Sequence, residues 1–437
     1  MRTWDTRLLR MTIASVLAGF AIGVVGGAFR WCLAQAELQR DAMIAWSHGR
    51  PYIGWIVPVV VAMVAVAIAS YLVLRFAPEA AGSGVHRVEA IMAGEIQPGS
   101  DKILPVKFIG GVLSLGSGMA LGREGPTVQM GASLAHIIAP RLVRDEADQR
   151  VVLAAGAGAG LAVAFNAPIG GSVFVFEELT SSFTPWLLVA TLSAATFAVA
   201  VMRWMIGNST VFFVLPGMPI HGSAHWFYLL LGGLMGVAGA LYNSLSLQLL
   251  DWADRMSKYP AVARAAVIGA VVGLVAWFAP AFVGSGDTLT QSILSSKLPL
   301  HALGIVFVIR FFLGPWSYAA ETPGGMFAPL LLLGAAFGGF FGGVAHHFVP
   351  GMAITVVDFA IVGMVALFAA SVRAPLTGIV LAMEMTGRGD LTLGMLAAAL
   401  GAMLVAMLLN SPPIYQSLRQ RMLVEERRKA AASEVAA

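Results

Sequence analysis

Three short stretches place chemically active side chains inside sequence that is otherwise apolar. Residues 122–131 read GREGPTVQMG, with Arg123 and Glu124 adjacent, framed by glycines and followed by Pro126. Residues 174–180 read FVFEELT and contain the neighbours Glu177 and Glu178. Residues 82–86 read GSGVH and set Ser83 three positions before His86. In a chain that is 58% hydrophobic and only 11% charged, an ionisable group flanked by long apolar runs is costly to bury, so it is a functional candidate by default. Glycines that free a turn, followed by a proline compatible with a first helical turn, predict a helix that begins within the apolar phase. Such a start carries unpaired backbone N–H groups and the positive end of the helix dipole, which makes it an anion site without a full positive charge. Glu124 sits on that start, so its own carboxylate competes there with an anion. Once protonated it loses that attraction and swings away, and one side chain serves as both gate and proton carrier. A simple Arg123–Glu124 salt bridge is the weaker reading, because adjacent helical residues do not face each other. Arg123 reads instead as a residue that tunes the potential and holds the turn.

The elements that position these residues are membrane helices. A mean hydropathy of +0.82 and runs such as YIGWIVPVVVAMVAVAIASYLVLRFA at 52–77 exceed what a soluble domain can cover. The fold class is therefore an all-α polytopic membrane protein. The first apolar run, 11–29, follows Arg2, Arg7 and Arg10 and reads as a retained helix rather than a cleaved leader. Basic residues gather before residue 11 and after 418, whereas 204–250 holds none. By the positive-inside tendency both termini are cytoplasmic. A net charge of +4, concentrated at the ends, speaks for membrane orientation and against nucleic acid as a partner. The lone Cys32 excludes an intrachain disulfide, and no cofactor or metal is expected.

Apolar runs after residue 107 are often short and interrupted by Gly or Pro: 108–120, 127–139, 302–316 and 326–345. They predict broken or re-entrant helices. The two halves also match. GREGPTVQMGA (122–132) registers with GMFAPLLLLGA (325–335) at an offset of 203, GSG at 82–84 recurs at 284–286, and APIGGSVFVFE (167–177) registers with APLTGIVLAME (374–384). This is an internal duplication. If each half crosses an odd number of times the copies are inverted, an architecture of transporters with the binding site near the midplane. The expected organisation is a first half over 1–205, an external linker over 206–225, a second half over 226–418 and a short cytoplasmic tail over 419–437. The register pairs Glu177 with Glu384, which marks that acid as structural. Glu178 falls opposite Met385 and has no counterpart, which marks it as functional.

In combination, GSGVH, GREGP, GGMFAP (324–329) and PPIYQSL (412–418) resemble, in order and spacing, the CLC family of chloride channels and chloride/proton exchangers, of the bacterial exchanger type. The resemblance covers nearly the whole chain and implies an inverted-repeat fold with broken and re-entrant helices in a bacterial inner membrane. It implies that Ser83 and Tyr415 offer hydroxyls to chloride, that the backbone N–H groups of Met326 and Phe327 meet a central anion, and that those of Arg123, Glu124 and Gly125 form an outer site. Glu124 falls on the family's gating glutamate and Glu178 on the inner proton-transfer glutamate of exchangers, which favours H+/Cl− antiport over a passive channel on the same fold. The implied partners are chloride, protons, the lipid bilayer and a second subunit with its own pathway. Proline at the position of Ser83 accompanies nitrate coupling in relatives, and the fluoride carriers also depart from serine there. Two departures stand out: His86 where proline is common, and Glu321 where a small residue is common. Only 22 residues follow Tyr415, so no paired cytosolic regulatory domains are expected. A different class, an intramembrane serine hydrolase built on Ser83 and a histidine, needs a base on a facing helix and leaves the duplication and both glutamates unexplained.

Overall fold

The computed structural model describes residues 3–50, 52–208, 210–215, 225–349 and 355–436. The linker expected over 206–225 lies partly outside them. Seventeen α-helices follow one another among the described residues. The first eight are α1 (Thr3–His48), α2 (Ile56–Phe76), α3 (Val85–Met92), α4 (Ile103–Gly116), α5 (Glu124–Leu142), α6 (Glu146–Phe165), α7 (Pro168–Phe174) and α8 (Pro185–Ile206). The next eight are α9 (His225–Arg255), α10 (Ala261–Phe278), α11 (Asp287–Leu294), α12 (Leu300–Tyr318), α13 (Phe327–Phe348), α14 (Val356–Val372), α15 (Pro375–Thr386) and α16 (Thr392–Leu408). Helix α17 (Ile414–Ala436) closes the chain.

The second set of eight repeats the first in order and in packing. Helix α1 lies along α8 as α9 lies along α16, and α5 pairs with α6 as α13 pairs with α14. The close pairs depend on glycine at matched positions. A Cβ on Gly131 would stand 2.1 Å from the carbonyl oxygen of Gly156, and one on Gly334 would stand 2.3 Å from that of Gly363. Small residues let two backbones approach where lipid supplies no hydrophobic drive. Between the halves, Gly122 and Gly325 exchange two backbone hydrogen bonds of 2.7 Å each. This two-way bridge ties the start of α5 to the start of α13.

Eight described helices are long and apolar enough to cross a membrane. The four short runs read from the sequence divide. Helix α4 has 14 residues, whereas α12 and α13 have 19 and 22 and qualify as spans. The run 302–316 left out the ends of α12, among them His301 and Ser317, which the helix absorbs along with the interior Pro315. The strongest breaks are elsewhere: α3 and α11 have eight residues each, and α7 has seven.

Buried helix starts require partners, because no water reaches them. The duplicated acids supply them across the halves. Glu177 accepts from the backbone N–H groups of Leu376 and Thr377 at 3.0 and 2.7 Å, and from the Thr377 hydroxyl at 2.8 Å. Glu384 accepts from Ile169 N at 3.2 Å and Gly170 N at 2.7 Å. Each acid caps the helix that begins the other half's matching motif, α15 for Glu177 and α7 for Glu384. A second matched pair serves carbonyls. Lys107 Nζ donates to Ala80 O and Gly82 O at 3.0 and 2.8 Å, and Arg310 Nη1 donates to Phe282 O and Gly284 O at the same two distances.

Helix α17 runs through the expected boundary at 418 and the region read as a tail. Arg419 pairs with Glu95 at 2.6 Å, Glu426 pairs with Arg87 at 3.0 Å, and Arg421 bridges Asp251 and Asp254. Arg419 holds the exposed Glu95 carboxyl below its ordinary range. That contribution is present above the ordinary range and is lost as pH falls through the depressed value, so the bridge stays intact at neutral pH.

The cross-caps give a direct expectation. Glu177→Gln and Glu384→Gln should each destabilise the purified protein by about 1.5–3 kcal/mol, the usual scale of a hydrogen bond to a charged group. Denaturation in detergent measures this, and a fall in neither variant would mean that the caps are not structural.

Candidate anion and proton site

The sequence-named residues converge where α5 and α13 begin. Ser83 and Tyr415 are fully buried at 0% exposure, and Glu124, Met326 and Phe327 are at 1%. Ser83 lies between Gly82 and Gly84, both at positive φ (58° and 84°), a conformation glycine adopts without strain. At Gly84 a Cβ would also strike Gln129 at 2.2 Å. The loop is held from beneath by Lys107 on Gly82 O and from the side by Ser83 N donating to the Tyr318 hydroxyl at 3.3 Å. Ser83 Oγ is left facing the start of α5: a Cβ on Gly125 would lie 2.4 Å from it.

Neither Ser83 Oγ nor the Tyr415 hydroxyl has a hydrogen-bond partner. Buried polar groups are rarely left so, and two hydroxyls beside free helix starts fit an anionic ligand. Met326 precedes the first residue of α13, and Phe327 is that residue. Their backbone N–H groups belong to the unpaired first turn. Phe327 is wedged among Phe368, Phe165 and Phe174, with ring centroids at 4.3, 5.5 and 6.0 Å. That packing fixes where α13 starts. Pro126 and Pro329 fall third in their helices, where no intrahelical N–H is required.

The Glu124 carboxylate lies in this cluster. Its Oε2 rests against Gly122, where a Cβ would come within 1.9 Å, and near Gly325, and that oxygen has no hydrogen-bond partner. The backbone N–H groups of Glu124 and of Ala328, in the first turn of α13, reach the carboxylate. One carboxylate therefore touches both helix starts. Arg123 turns away from it: Nη1 pairs with Asp287 at 3.0 Å and Nε donates to Ala164 O at 3.1 Å. The salt bridge between chain neighbours is absent, and Asp287 is the partner that sequence reading missed. Gly125 supplies a second-position N–H on α5 and the close approach to Ser83.

Glu178 stands apart, on a single π-helical turn over Val175–Leu179. Such turns are uncommon and recur at functional sites. The turn sends Glu177 to its cap on α15 and leaves Glu178 beside Glu89, on α3, where the two acids act on each other. Glu89 is 6% exposed, and the sequence reading passed over it because no motif contains it. Its register counterpart, Gln291, is uncharged, a signal of the same kind that singled out Glu178. Glu89 and Glu178 line a cavity of about 370 Å³ beside Arg150 and Arg419. The charges of Glu124, Glu178 and Glu89 all act on the Tyr415 hydroxyl, which lies between the two acid sites.

His86 and Glu321 line a different cavity, of about 460 Å³, together with Gly82, Tyr318, Arg264 and Arg421. Glu321 sits at a φ of 54°, where its register counterpart Gly118 has 108°. The departure from a small residue thus places a side chain on a backbone conformation that favours glycine.

A duplicated, inverted set of broken helices whose free starts meet at two unpartnered hydroxyls and a buried carboxylate defines a membrane carrier of small anions. The voltage gated chloride channel family model matches residues 64–407, and the chain belongs to that family. The H(+)/Cl(−) exchange transporter ClcA of Vibrio cholerae is 38% identical over 419 residues, covering 94% of this chain and 90% of that protein. ClcA of Cronobacter sakazakii is 36% identical over 431 residues, covering 97% and 92%. Among solved structures, a slow cyanobacterial Cl−/H+ antiporter superposes with a TM-score of 0.91 at 31% identity, covering 96% of this chain and 99% of that one. A CLC-type fluoride/proton antiporter, at 19% identity and a TM-score of 0.79, shares the fold.

The free Ser83 hydroxyl generates a selectivity expectation. Ser83→Pro removes a donor aimed at a compact anion and should raise nitrate transport relative to chloride by about tenfold, one lost hydrogen bond's worth. Parallel nitrate and chloride fluxes in liposomes decide it, and an unchanged ratio would place selectivity at the backbone N–H groups of Met326 and Phe327.

Proposed function

We propose that this protein exchanges chloride for protons across a bacterial inner membrane. The observation that carries the reading is the Glu124 carboxylate at the starts of both α5 and α13: while charged it holds the position an anion needs, and when protonated it yields that position. Binding a proton and admitting chloride are then one event. Backbone N–H groups of Arg123, Glu124 and Gly125 serve the outer anion position, those of Met326 and Phe327 the central one, and Ser83 and Tyr415 close the inner side. Glu178, paired with Glu89, delivers protons from the inner face by a route separate from Ser83. The names of the relatives, exchangers in both sequence and structure, support antiport over a passive channel.

The working unit is a homodimer with a pathway in each subunit and both termini in the cytoplasm. The dimer rests on the family, and the outward Ile169, Leu192, Leu376 and Leu400 on α7, α8, α15 and α16 fit an apolar seam. The protein carries ions and is not an enzyme. The relatives, named as exchange transporters and an antiporter, support a carrier over a serine hydrolase.

Reconstitution into liposomes tests this. A chloride gradient should drive protons uphill. Glu124→Gln should still pass chloride while proton movement falls to background, because a neutral amide neither carries a proton nor competes as an anion. Glu178→Gln should stay well folded and move chloride without protons. Sustained chloride flux in the unaltered protein with no proton movement at any pH would make it a channel.

A further inference from the structure

The outer face contains a cavity that this mechanism leaves unused. It measures about 390 Å³ and lies between the far end of α1 and the start of α11, with Glu37, Arg40, Asp41, His48 and Asp287 in its wall. Its floor is Gly284–Ser285–Gly286, the second half's equivalent of the Ser83 loop. Through Asp287 it abuts Arg123, the residue before Glu124.

Almost every titratable group here is already engaged. Asp287 is bound to Arg123 at 3.0 Å. Asp41 receives Nε and Nη2 of Arg40 at 3.1 and 3.0 Å. The His48 ring stacks on Trp277 at 4.1 Å, and its Nε2 lies 3.0 Å from Trp277 O. Glu37 is the exception. No hydrogen bond or ion pair among the described residues engages its carboxylate, yet the charges of Asp287, Arg123, Arg40 and Asp41 all act on it. Those four, from α1, α5 and α11, are the charged groups that face it. Arg40 has a second free atom: its side chain is only 10% exposed, and Nη1 is buried without a partner, close to Gly284.

Glu124 itself is 1% exposed, and its chain neighbour Arg123 pairs with Asp287 in the cavity wall, so an acceptor in this cavity stands on an approach to it. We propose that Glu37 is that acceptor, an outer proton station that takes a proton from external water and passes it through water in the cavity to Glu124. The step balances simply: the carboxylic O–H of Glu37 breaks, its proton moves along water to the Glu124 carboxylate, and Glu37 returns to its charged form to be protonated again from outside. Arg40 and Arg123 stabilise the charged form between transfers. This inference rests on Glu124 as the proton carrier.

The test uses the full-length protein in liposomes of one orientation. Glu37→Gln should slow coupled exchange about a hundredfold or more, the low end of the effect of removing a proton-transfer group. It should also shift the dependence on external pH while leaving that on internal pH in place. Glu37→Asp should recover most of the rate, which a packing role for the longer side chain would not allow. Adding Glu37→Gln to Glu124→Gln should leave the remaining chloride flux within about twofold, since a station without its carrier has nothing to deliver. An unchanged external-pH profile in Glu37→Gln overturns the proposal. So does a changed chloride flux in the double variant, which would make Glu37 an electrostatic influence on the anion. Failure of the carrier reading shows separately, as coupling retained in Glu124→Gln alone.

Discussion

A helix that starts inside a membrane must find partners for its first N–H groups, and the rest of this structure follows from how four such starts are satisfied. At α7 and α15 the partners are permanent. Glu384 and Glu177 reach across from the opposite halves and accept two backbone N–H groups each. At α5 and α13 the partner is the Glu124 carboxylate, which belongs to no fixed pair. The same chemistry thus does two jobs. A carboxylate whose chain position is set by a second packed helix is a rivet, and one on the terminus of the helix it serves, with a glycine opposite, is placed to act as the proposed gate.

Duplication builds the frame, and its exceptions do the chemistry. Matched positions share structural duties: Gly122 with Gly325, Lys107 with Arg310, Gly131 with Gly334. Where the halves differ at the site, an ionisable residue stands opposite an apolar one. Glu124 stands opposite Phe327, which is locked among three phenylalanines. Glu178 stands opposite Met385, a core residue at 1% exposure. Tyr415 has no counterpart at all, because α17 lies outside both repeats. That helix is held by ion pairs to α3, the loop after it and α9, so both halves contribute to where the Tyr415 hydroxyl sits.

Most of this was legible in the sequence, for physical reasons that also explain the gaps. The glycine and proline spacing announced the starts of α5 and α13, since few other residues permit a buried helix to begin there. The register separated Glu177 from Glu178 correctly as to structure, because a rivet needs its twin. What escaped were pairings set by tertiary geometry. Nothing local links Arg123 to Asp287, or Glu178 to Glu89, across more than 80 residues of chain. The π-turn that points Glu178 and Glu177 in different directions leaves no mark in composition. Apolar run length also misjudged α12 and α13, whose interior prolines and glycines are carried within full-length helices.

The placement of the buried cations completes the account of how an anion can leave. A lysine or arginine facing the path would hold chloride strongly in so dry an interior. Lys107 and Arg310 are both fully buried near the two serine loops, yet each donates to two backbone carbonyls, and Arg310 adds a third at Ser285 O, 3.1 Å away. Their charge rigidifies the loops and offsets the carbonyl dipoles, while the groups left to meet the anion are hydroxyls and backbone N–H groups. Neutral donors bind weakly enough to release. A competing carboxylate of comparable reach can then displace the anion, and only a proton removes that competitor. Weak binding is therefore the condition that allows one acidic side chain to couple two ion flows.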